Sequence, residues 1–290
     1  MDIENRKLYA YLNIDNPMVA WEVAIGRIQS ICDKKEFGVS VWFYNLVKGF
    51  VEKNNNVKIT NEFKLELARI KMYPEKVSRL QGVYFFESRE MAEIAVERWG
   101  IPSRKKYITE VYFSGNNYTE VDSEWITTYL GGDPKQDPSW IESYWKGETL
   151  GIKPLTEVLA SGIGIVHDQA IRCEAYWKII DKWPTTSFLL NGCMAGFNRK
   201  GLEQIGRSIP TIFVEKGEVV GKYYIDMNEF DDHQDKIIDA MQELTKKGIV
   251  LPNIIPNDDK SFFSLPDFRD MSFSSNDTAI SALLTEIHGH

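Results

Sequence analysis

Few residues in this sequence have the type and spacing that common catalytic sites require. Histidine could hold a metal, but none of the four histidines lies at metal-ligand spacing with a carboxylate partner on a recognisable helix: His167, His233, His288 and His290. The chain also lacks the HExxH and GxSxG motifs, a Walker phosphate loop and a GxGxxG fingerprint. The sequence therefore predicts no metal site, and it predicts none of the active sites or nucleotide-binding sites that these motifs form.

Two glutamates on predicted strands are candidates for a catalytic carboxylate. Glu157 lies in the segment TEVLA and Glu110 in the similar segment TEVYF, and both segments have the composition of a strand. A strand is a rigid mount for a carboxylate. From the residues alone, the simpler interpretation of Glu157 is a glutamate on the water-facing side of an edge strand.

The cysteines predict no covalent framework. Cys32, Cys173 and Cys193 lie far apart and show no CxxC spacing, so neither a disulfide network nor a cysteine zinc site is indicated. We expect reduced thiols in the core.

Composition limits the class of protein. The chain has 290 residues, of which 43% are hydrophobic and 26% charged, which is typical of a globular protein and excludes a disordered or collagen-like chain. No run approaches the roughly 18 apolar residues of a membrane span, and the first residues carry no signal-peptide pattern. We expect a cytoplasmic protein with no membrane contact.

Charge is unevenly distributed along the chain. The net charge of −8 argues against a protein that coats nucleic acid by bulk electrostatics. Residues 64–106 nevertheless hold ten basic and six acidic residues, whereas residues 109–150 hold two basic and eight acidic residues. A solvated surface of mixed charge is the simpler interpretation, and a polyanion-facing side is the alternative.

Periodicity predicts a chain of mixed helices and strands. In the first part we expect strands at residues 8–14, 82–87, 107–113 and 155–160, and helices beginning at Pro17 and over 39–50, 61–72, 88–99, 122–130 and 139–145. In the second part we expect helices near 169–183 and 229–247, strands at 187–191 and 211–214, a hairpin turn at 216–218, a long loop over 257–277 and a short terminal helix.

Short motifs in the first part resemble a known family. They are LYAYL near the start, ARIKMYPEKVSRLQG leading into GVYFFE, SYWKG at 143–147 and LTEVLASG at 155–162. Together, over residues 8–166, they resemble bacterial ADP-ribosyltransferase-like proteins, and in particular the mRNA-modifying ADP-ribosyltransferase toxins of anti-phage toxin, antitoxin and chaperone systems.

The resemblance implies a fold and a domain organisation. We expect an α+β fold: an ADP-ribosyltransferase-like split mixed sheet with flanking helices over residues 1–166, plus a smaller C-terminal α/β unit over residues 167–290. The first domain would bind NAD, and the second would recognise a target or a partner.

The resemblance also implies a reaction. NAD is the substrate, and the bond from nicotinamide to ribose breaks through an oxocarbenium-like state, as in glycoside hydrolysis. Glu157 matches the family's catalytic glutamate and would stabilise the developing positive charge. Glu110 is the rival carboxylate, but the order of the motifs favours Glu157. Arg79 matches a family arginine, and its planar guanidinium would hold the pyrophosphate, with a surface salt bridge as the alternative.

Further NAD contacts follow from the same resemblance. Tyr9 and Tyr11 lie on the non-core face of the first strand, where related enzymes carry a His or Arg that holds the adenosine half of NAD. Tyr84 and Tyr144 would line the NAD site. Ser78 either contacts the cofactor or caps a turn through its hydroxyl.

The expected acceptor is a macromolecule, with RNA favoured and protein as the alternative. An antitoxin or chaperone would be the neutralising partner of such a toxin. Two other functions remain open: an NAD glycohydrolase, and a non-enzymatic protein-binding module that uses the aromatic-rich surface of the chain.

Overall fold

The computed structural model describes residues 3–31, 38–133, 135, 137–248 and 264–289. Cys32 and the first part of the predicted loop at 257–277 lie outside the described residues.

The first part of the chain alternates strands with helices. Its elements are β1 (Glu4–Tyr11), α1 (Pro17–Ile25), β2 (Arg27–Gln29), α2 (Val41–Glu52), α3 (Asn56–Met72), β3 (Val83–Phe85), α4 (Arg89–Arg98), β4 (Ile108–Asp122), α5 (Glu124–Tyr129), α6 (Ser139–Lys146) and β5 (Thr156–Val166). The second part contains α7 (Gln169–Lys182), α8 (Ser187–Gly196), β6 (Arg207–Glu215), β7 (Glu218–Asp226), α9 (Asn228–Asp232), α10 (Gln234–Lys246), β8 (Phe273–Ser275) and α11 (Thr278–His288).

Local capping signals determine where several helices begin. The Asn16 side chain accepts hydrogen bonds from the amides of Met18 and Val19, and Pro17 occupies the first helical position of α1. Ser88 caps α4 and Asp168 caps α7 through the same kind of contact. These helix starts are confirmed.

A five-stranded sheet forms the centre of the fold. β4 pairs with β1 on one side and with β5 on the other, and the far edge of β5 pairs with both β2 and β3. Every pairing among the described strands of this sheet is antiparallel, so the expectation of a mixed sheet was wrong. The α+β class, with a sheet flanked by helices, is confirmed.

The sheet curls back on itself. β3 pairs with β5, but the next residue, Phe86, exchanges two backbone hydrogen bonds of 2.8 Å with Tyr9 of β1. This bridge brings the two ends of the sheet together.

β5 has a different layer of residues on each face. Val158 and Ala160 belong to the large apolar core that also contains residues of α1 and α7. Leu159, on the opposite face, packs in a second cluster with Tyr144 and Trp145 of α6. Because successive strand residues point to opposite faces, Glu157 lies on the same face as Leu159, beneath α6.

A small antiparallel sheet lies in the second part of the chain, with the strand order β6-β7-β8. β6 and β7 are joined by a tight turn in which Lys216 and Gly217 both have positive φ, of 53° and 87°. That backbone matches the right-handed twist of a two-residue hairpin, so the predicted turn is confirmed.

Several predictions in the second part of the chain were wrong. Residues 187–191 form the start of helix α8 rather than a strand, because a short apolar run has no periodicity that separates a buried strand from a buried helix. The helix expected over 229–247 is divided at His233 into α9 and α10. Because its sheet is antiparallel, the second part is an α+β arrangement rather than α/β.

One apolar core contains residues from both parts of the chain. Its buried members include Trp21 of α1, Leu190 of α8 and Leu202. The Trp21 indole donates a 2.6 Å hydrogen bond to the carbonyl of Gly206. Burial of Cys193 in this core agrees with the sequence, but Cys173 on α7 is exposed, so the expectation of a core thiol there was wrong.

No helix among the described residues is long and apolar enough to cross a membrane.

Candidate functional site

Four of the predicted site residues meet beneath α6. They come from four places in the chain: Arg79 from the segment before β3, Tyr84 from β3, Tyr144 from α6 and Glu157 from β5. The strand register explains part of this meeting, because Tyr84 pairs directly with Leu159 and therefore shares the face that carries Glu157. We call these four residues, together with Glu62 of α3, the buried cluster.

Arg79 is at the centre of the buried cluster. Its Nε and Nη2 donate to the two carboxylate oxygens of Glu62 at 3.0 and 2.8 Å, which is a bidentate ion pair. Its Nη1 donates to the Tyr144 hydroxyl at 2.8 Å and lies 3.6 Å from Oε2 of Glu157. The guanidinium is therefore surrounded by two carboxylates and one phenol.

The two tyrosines enclose the guanidinium. Its central carbon lies 5.2 Å from the ring centre of Tyr84 and 5.6 Å from that of Tyr144, within the range of cation–π attraction. The Tyr84 hydroxyl donates to the backbone carbonyl of Arg79 at 2.5 Å, which fixes the segment before β3 against the strand. Burial raises the pKa of both phenols, so both are neutral.

Glu157 has an unusual protonation equilibrium. Burial raises the pKa of its carboxyl group to about 7, and the positive charge of Arg79 partly opposes this shift, while the negative charge of Glu62 adds to it. A carboxyl group with a pKa near 7 is present in both its protonated and its ionised form at neutral pH. Such groups are concentrated at functional sites, although buried ion clusters with a structural role produce them too.

This pKa predicts a pH-dependent stability difference between the native chain and the Glu157→Gln variant. The folded-state pKa is about 7 and the ordinary value is 4.5, so between these pH values the folded state keeps a proton that the unfolded state has lost. The free energy of unfolding of the native chain therefore falls as pH rises through this window. Glutamine does not titrate. The free energy of unfolding of the variant, relative to that of the native chain, is therefore expected to rise by roughly 2–3 kcal/mol from pH 5 to pH 8.

Urea unfolding of both proteins at pH 5, 6, 7 and 8 measures this difference. Glu110→Gln is the matched control, since Glu110 is a surface carboxyl group whose pKa is lowered by a hydrogen bond from Lys7. If the difference in free energy of unfolding between the native chain and the Glu157→Gln variant stays constant over this pH range, the raised pKa of Glu157 is contradicted.

Sequence reasoning missed Glu62. A signal for it was present, because Glu62 lies three positions after Ile59 and directly before Phe63, on the face of α3 that is buried. A charged residue on the apolar face of a helix requires a buried partner, and Arg79 is that partner.

Tyr9 and Tyr11 lie outside the buried cluster. Both are half-buried against the small apolar group around Phe86 and α4. The Tyr9 hydroxyl donates to Glu110 at 3.2 Å, and the Tyr11 ring lies 6.3 Å from that of Trp99. The structure therefore does not bring these two tyrosines together with Glu157.

Glu110 has its own partners on the surface. Besides Tyr9, it pairs with Lys7 at 2.6 Å, and its side chain is 32% exposed. Glu110 therefore lies in a surface ion pair, outside the buried cluster that contains Glu157.

Ser78 lies next to the buried cluster in sequence but faces other groups. Its hydroxyl accepts a hydrogen bond of 3.1 Å from the amide of Leu80, which is the turn-capping contact considered above. The residue also lines a cavity that Arg79, Tyr84, Tyr144 and Glu157 do not line.

The buried cluster contains the residue types of the NAD site that the resemblance implies, but its hydrogen-bond donors are already engaged. A carboxylate, an arginine and two aromatic rings suit the nicotinamide ribose end of NAD. The side chains of Arg79 and Glu157 are 4% and 8% exposed, and three nitrogens of Arg79 already donate within the cluster. NAD would reach Glu157 only if α6 moved away and the Tyr144 hydroxyl released Arg79.

The basic stretch of the sequence forms no free cationic face. Of its ten basic residues, eight lie in ion pairs with carboxylates: Arg69, Lys71, Arg79, Arg89, Arg98, Arg104, Lys105 and Lys106. Paired charges attract phosphate weakly, because their fields largely cancel at a distance. The geometry therefore favours the mixed-charge interpretation over a polyanion-facing side.

Among the described residues, no group of three or more His, Cys, Asp or Glu side chains is placed to hold a metal ion. Comparison of the chain with models of known protein families and with curated proteins finds no match.

Proposed function

We propose that this protein is an ADP-ribosyltransferase that uses NAD as its substrate and Glu157 as its catalytic carboxylate. The observation that carries this proposal is the meeting of Glu157 with Arg79, Tyr84 and Tyr144 in one cluster, from positions up to 78 residues apart. The sequence motifs that resemble the transferase family predicted these same four residues.

The proposed chemistry assigns roles to Glu157 and Arg79. NAD, when bound, would supply the nicotinamide–ribose bond. As this bond breaks, its electron pair would leave with nicotinamide, and a nucleophilic atom of the acceptor would form the new bond to the ribose carbon and lose its proton to solvent. Glu157 in its ionised form stabilises the positive charge that develops on the ribose. Arg79 favours that ionised form by lowering the pKa of Glu157 against the effect of burial, so activity should rise as pH increases through about 7.

The position of Glu157 on β5 suits this role. β5 pairs on both edges, with β4 on one side and β3 on the other, so its backbone is held by two neighbouring strands. A carboxylate on such a strand is held in place without a large entropic cost during the reaction.

A labelled-NAD assay tests the proposal. Purified protein is incubated with NAD labelled on the adenylate, together with either total RNA or a protein extract, and both fractions are analysed for label. Label on RNA or on protein supports the transferase and identifies the acceptor class. Release of nicotinamide with no labelled acceptor would instead indicate an NAD glycohydrolase.

A non-enzymatic protein-binding module is the second candidate, and one observation favours it. The ion cluster of Arg79, Glu62 and Glu157 is sealed from solvent, as expected of charges that only fix a core. Absence of NAD turnover with either acceptor would support this candidate. A neutralising antitoxin or chaperone is a further proposal, and it depends on the transferase activity.

A further inference from the structure

Glu62 forms the closer of the two ion pairs in the buried cluster. Its side chain is fully buried, and its two carboxylate oxygens accept hydrogen bonds from Nε and Nη2 of Arg79 at 3.0 and 2.8 Å. Oε2 of Glu157 lies 3.6 Å from Nη1 of Arg79, which is beyond the length of an ordinary hydrogen bond. Of the two carboxyl groups, Glu62 therefore holds the guanidinium more closely.

The bidentate contact also fixes the rotation of the guanidinium. When Nε and Nη2 of a planar guanidinium bind one carboxylate, Nη1 is directed away from that carboxylate. Nη1 of Arg79 donates to the Tyr144 hydroxyl at 2.8 Å and faces Glu157. Glu62 lies in the interior of the 17-residue helix α3, which is a rigid mount for the contact. The direction in which Arg79 presents Nη1 is thus set by Glu62.

Charge balance in the buried cluster allows only one ionised carboxylate. Among the described residues, the charged and titratable groups that face Glu157 are Glu62 of α3, Arg79 before β3, Tyr84 of β3 and Tyr144 of α6. Arg79 carries one positive charge, and both phenols are neutral. A second buried negative charge would be unbalanced, which is costly away from water. The negative charge of Glu62 adds to the effect of burial in raising the pKa of Glu157, so Glu157 is the group that takes the proton.

We propose that Glu62 is a positioning residue, which turns the guanidinium of Arg79 so that Nη1 faces Glu157 and, by competing for its positive charge, controls when Glu157 is ionised. The proposal rests on the proposed transferase function, in which the ionised form of Glu157 is the active one. Removal of the charge of Glu62 would leave Arg79 to Glu157, and that carboxyl group would then lose its proton at lower pH.

Carbon-13 NMR titration of the Glu157 carboxyl group tests the proposal without an activity measurement. The full chain is labelled at the glutamate Cδ, and the Glu157 signal is identified by its absence from the Glu157→Gln spectrum. In Glu62→Gln we expect the titration midpoint of Glu157 to fall by about one pH unit or more, a tenfold change in the acid dissociation constant. Glu66→Gln is the matched control: Glu66 is also buried on α3 and paired with an arginine, Arg69, and this variant should leave the midpoint unchanged.

The pH profile of label transfer from NAD is the second readout. In Glu62→Gln the profile is expected to move to lower pH by the same amount as the NMR midpoint of Glu157. A merely structural role of Glu62 would lower transfer at every pH and leave the profile in place. Glu62→Asp keeps the negative charge, so its profile should lie closer to that of the native chain than the profile of Glu62→Gln does.

The two readouts separate failure of this proposal from failure of the transferase function. An unchanged Glu157 midpoint in Glu62→Gln would overturn the role of Glu62, whether or not the native chain transfers label. A midpoint that falls in Glu62→Gln, in a protein whose native chain transfers no label, would support control of Glu157 by Glu62 and refute the transferase function.

The native chain provides a test if Glu62→Gln does not fold. The Nε–H signal of Arg79, assigned through its contact with the ring of Tyr84, is followed by NMR from pH 5 to pH 8. Its exchange with water is expected to stay slow whether Glu157 is protonated or ionised, because Glu62 holds Nε. Exchange that changes with the titration of Glu157 would overturn the proposal.

Discussion

The NAD-dependent transfer rate of the Glu157→Gln variant is expected to be roughly 10²–10³-fold lower than that of the native chain, while the variant still folds. The amide has almost the shape of the carboxyl group but carries no negative charge, so it cannot stabilise the positive charge that develops on the ribose. The fold should survive because the native carboxyl group, with its pKa of about 7, is itself uncharged in a large part of the molecules at neutral pH. The measurement is label transfer from NAD by native and variant protein under the same conditions.

Glu110→Gln is the control for this experiment. Glu110 lies in the similar segment TEVYF on β4, but its partners are the surface groups Lys7 and Tyr9. We expect this variant to keep full activity. Full activity in Glu157→Gln would refute the assignment, and loss of activity in Glu110→Gln alone would move the catalytic role to that residue.

The Arg27→Met variant is expected to lose about 3–5 kcal/mol of the free energy of unfolding, because it leaves a buried charge unpaired. The Arg27 side chain is fully buried, and its Nε and Nη2 donate to Glu22 at 2.6 and 3.0 Å. Its Nη1 donates to the carbonyls of Glu203 and Ile205, each at 3.0 Å. Glu22 in turn accepts a 2.7 Å hydrogen bond from the amide of Ser208.

These contacts connect β2 to the segment before β6, so the loss should affect both parts of the chain. Urea unfolding, followed by tryptophan fluorescence and by circular dichroism, measures the loss and shows whether the two probes report one transition. Lys222→Met is the control, because Lys222 pairs with Glu215 on the surface and should contribute less than about 1 kcal/mol. A loss of similar size in the two variants would contradict a structural role for the buried pair.

Local signals explain which elements the sequence predicted well. The start of α1 follows from Asn16 and Pro17, whose cap and fixed φ act within one turn of the helix. The alternation in β1 placed Leu8 and Ala10 in the core and left Tyr9 and Tyr11 half-buried, as the structure has them. Such features depend only on residues that are close in sequence, so they can be predicted without knowledge of the tertiary structure.

Longer-range features could not be predicted in this way. α8 was predicted as a strand because its first residues form a plain apolar run, and only its packing in the core shows why it can be apolar on all sides. The direction of strand pairing likewise depends on how the connections cross the sheet, which no local pattern encodes.

For the candidate site, the sequence identified four residues but not their arrangement. The motifs indicated Arg79, Tyr84, Tyr144 and Glu157, and the structure places them in contact, with Glu62 as an additional member. They also indicated Tyr9, Tyr11 and Ser78, which lie in other surroundings. Residue type and motif order do not determine which face of a curled sheet a side chain occupies.

The sequence by itself determined the mixture of helices and strands, several helix starts, the hairpin turn and the alternating faces of β1, because these follow from backbone sterics and hydrogen bonds over a few residues. Only the tertiary structure decided that the sheet is antiparallel and curls onto itself, that Glu62 neutralises Arg79, and that the pKa of Glu157 is raised. Burial and charge at a point depend on residues from distant parts of the chain, and their positions are fixed only when the core has formed.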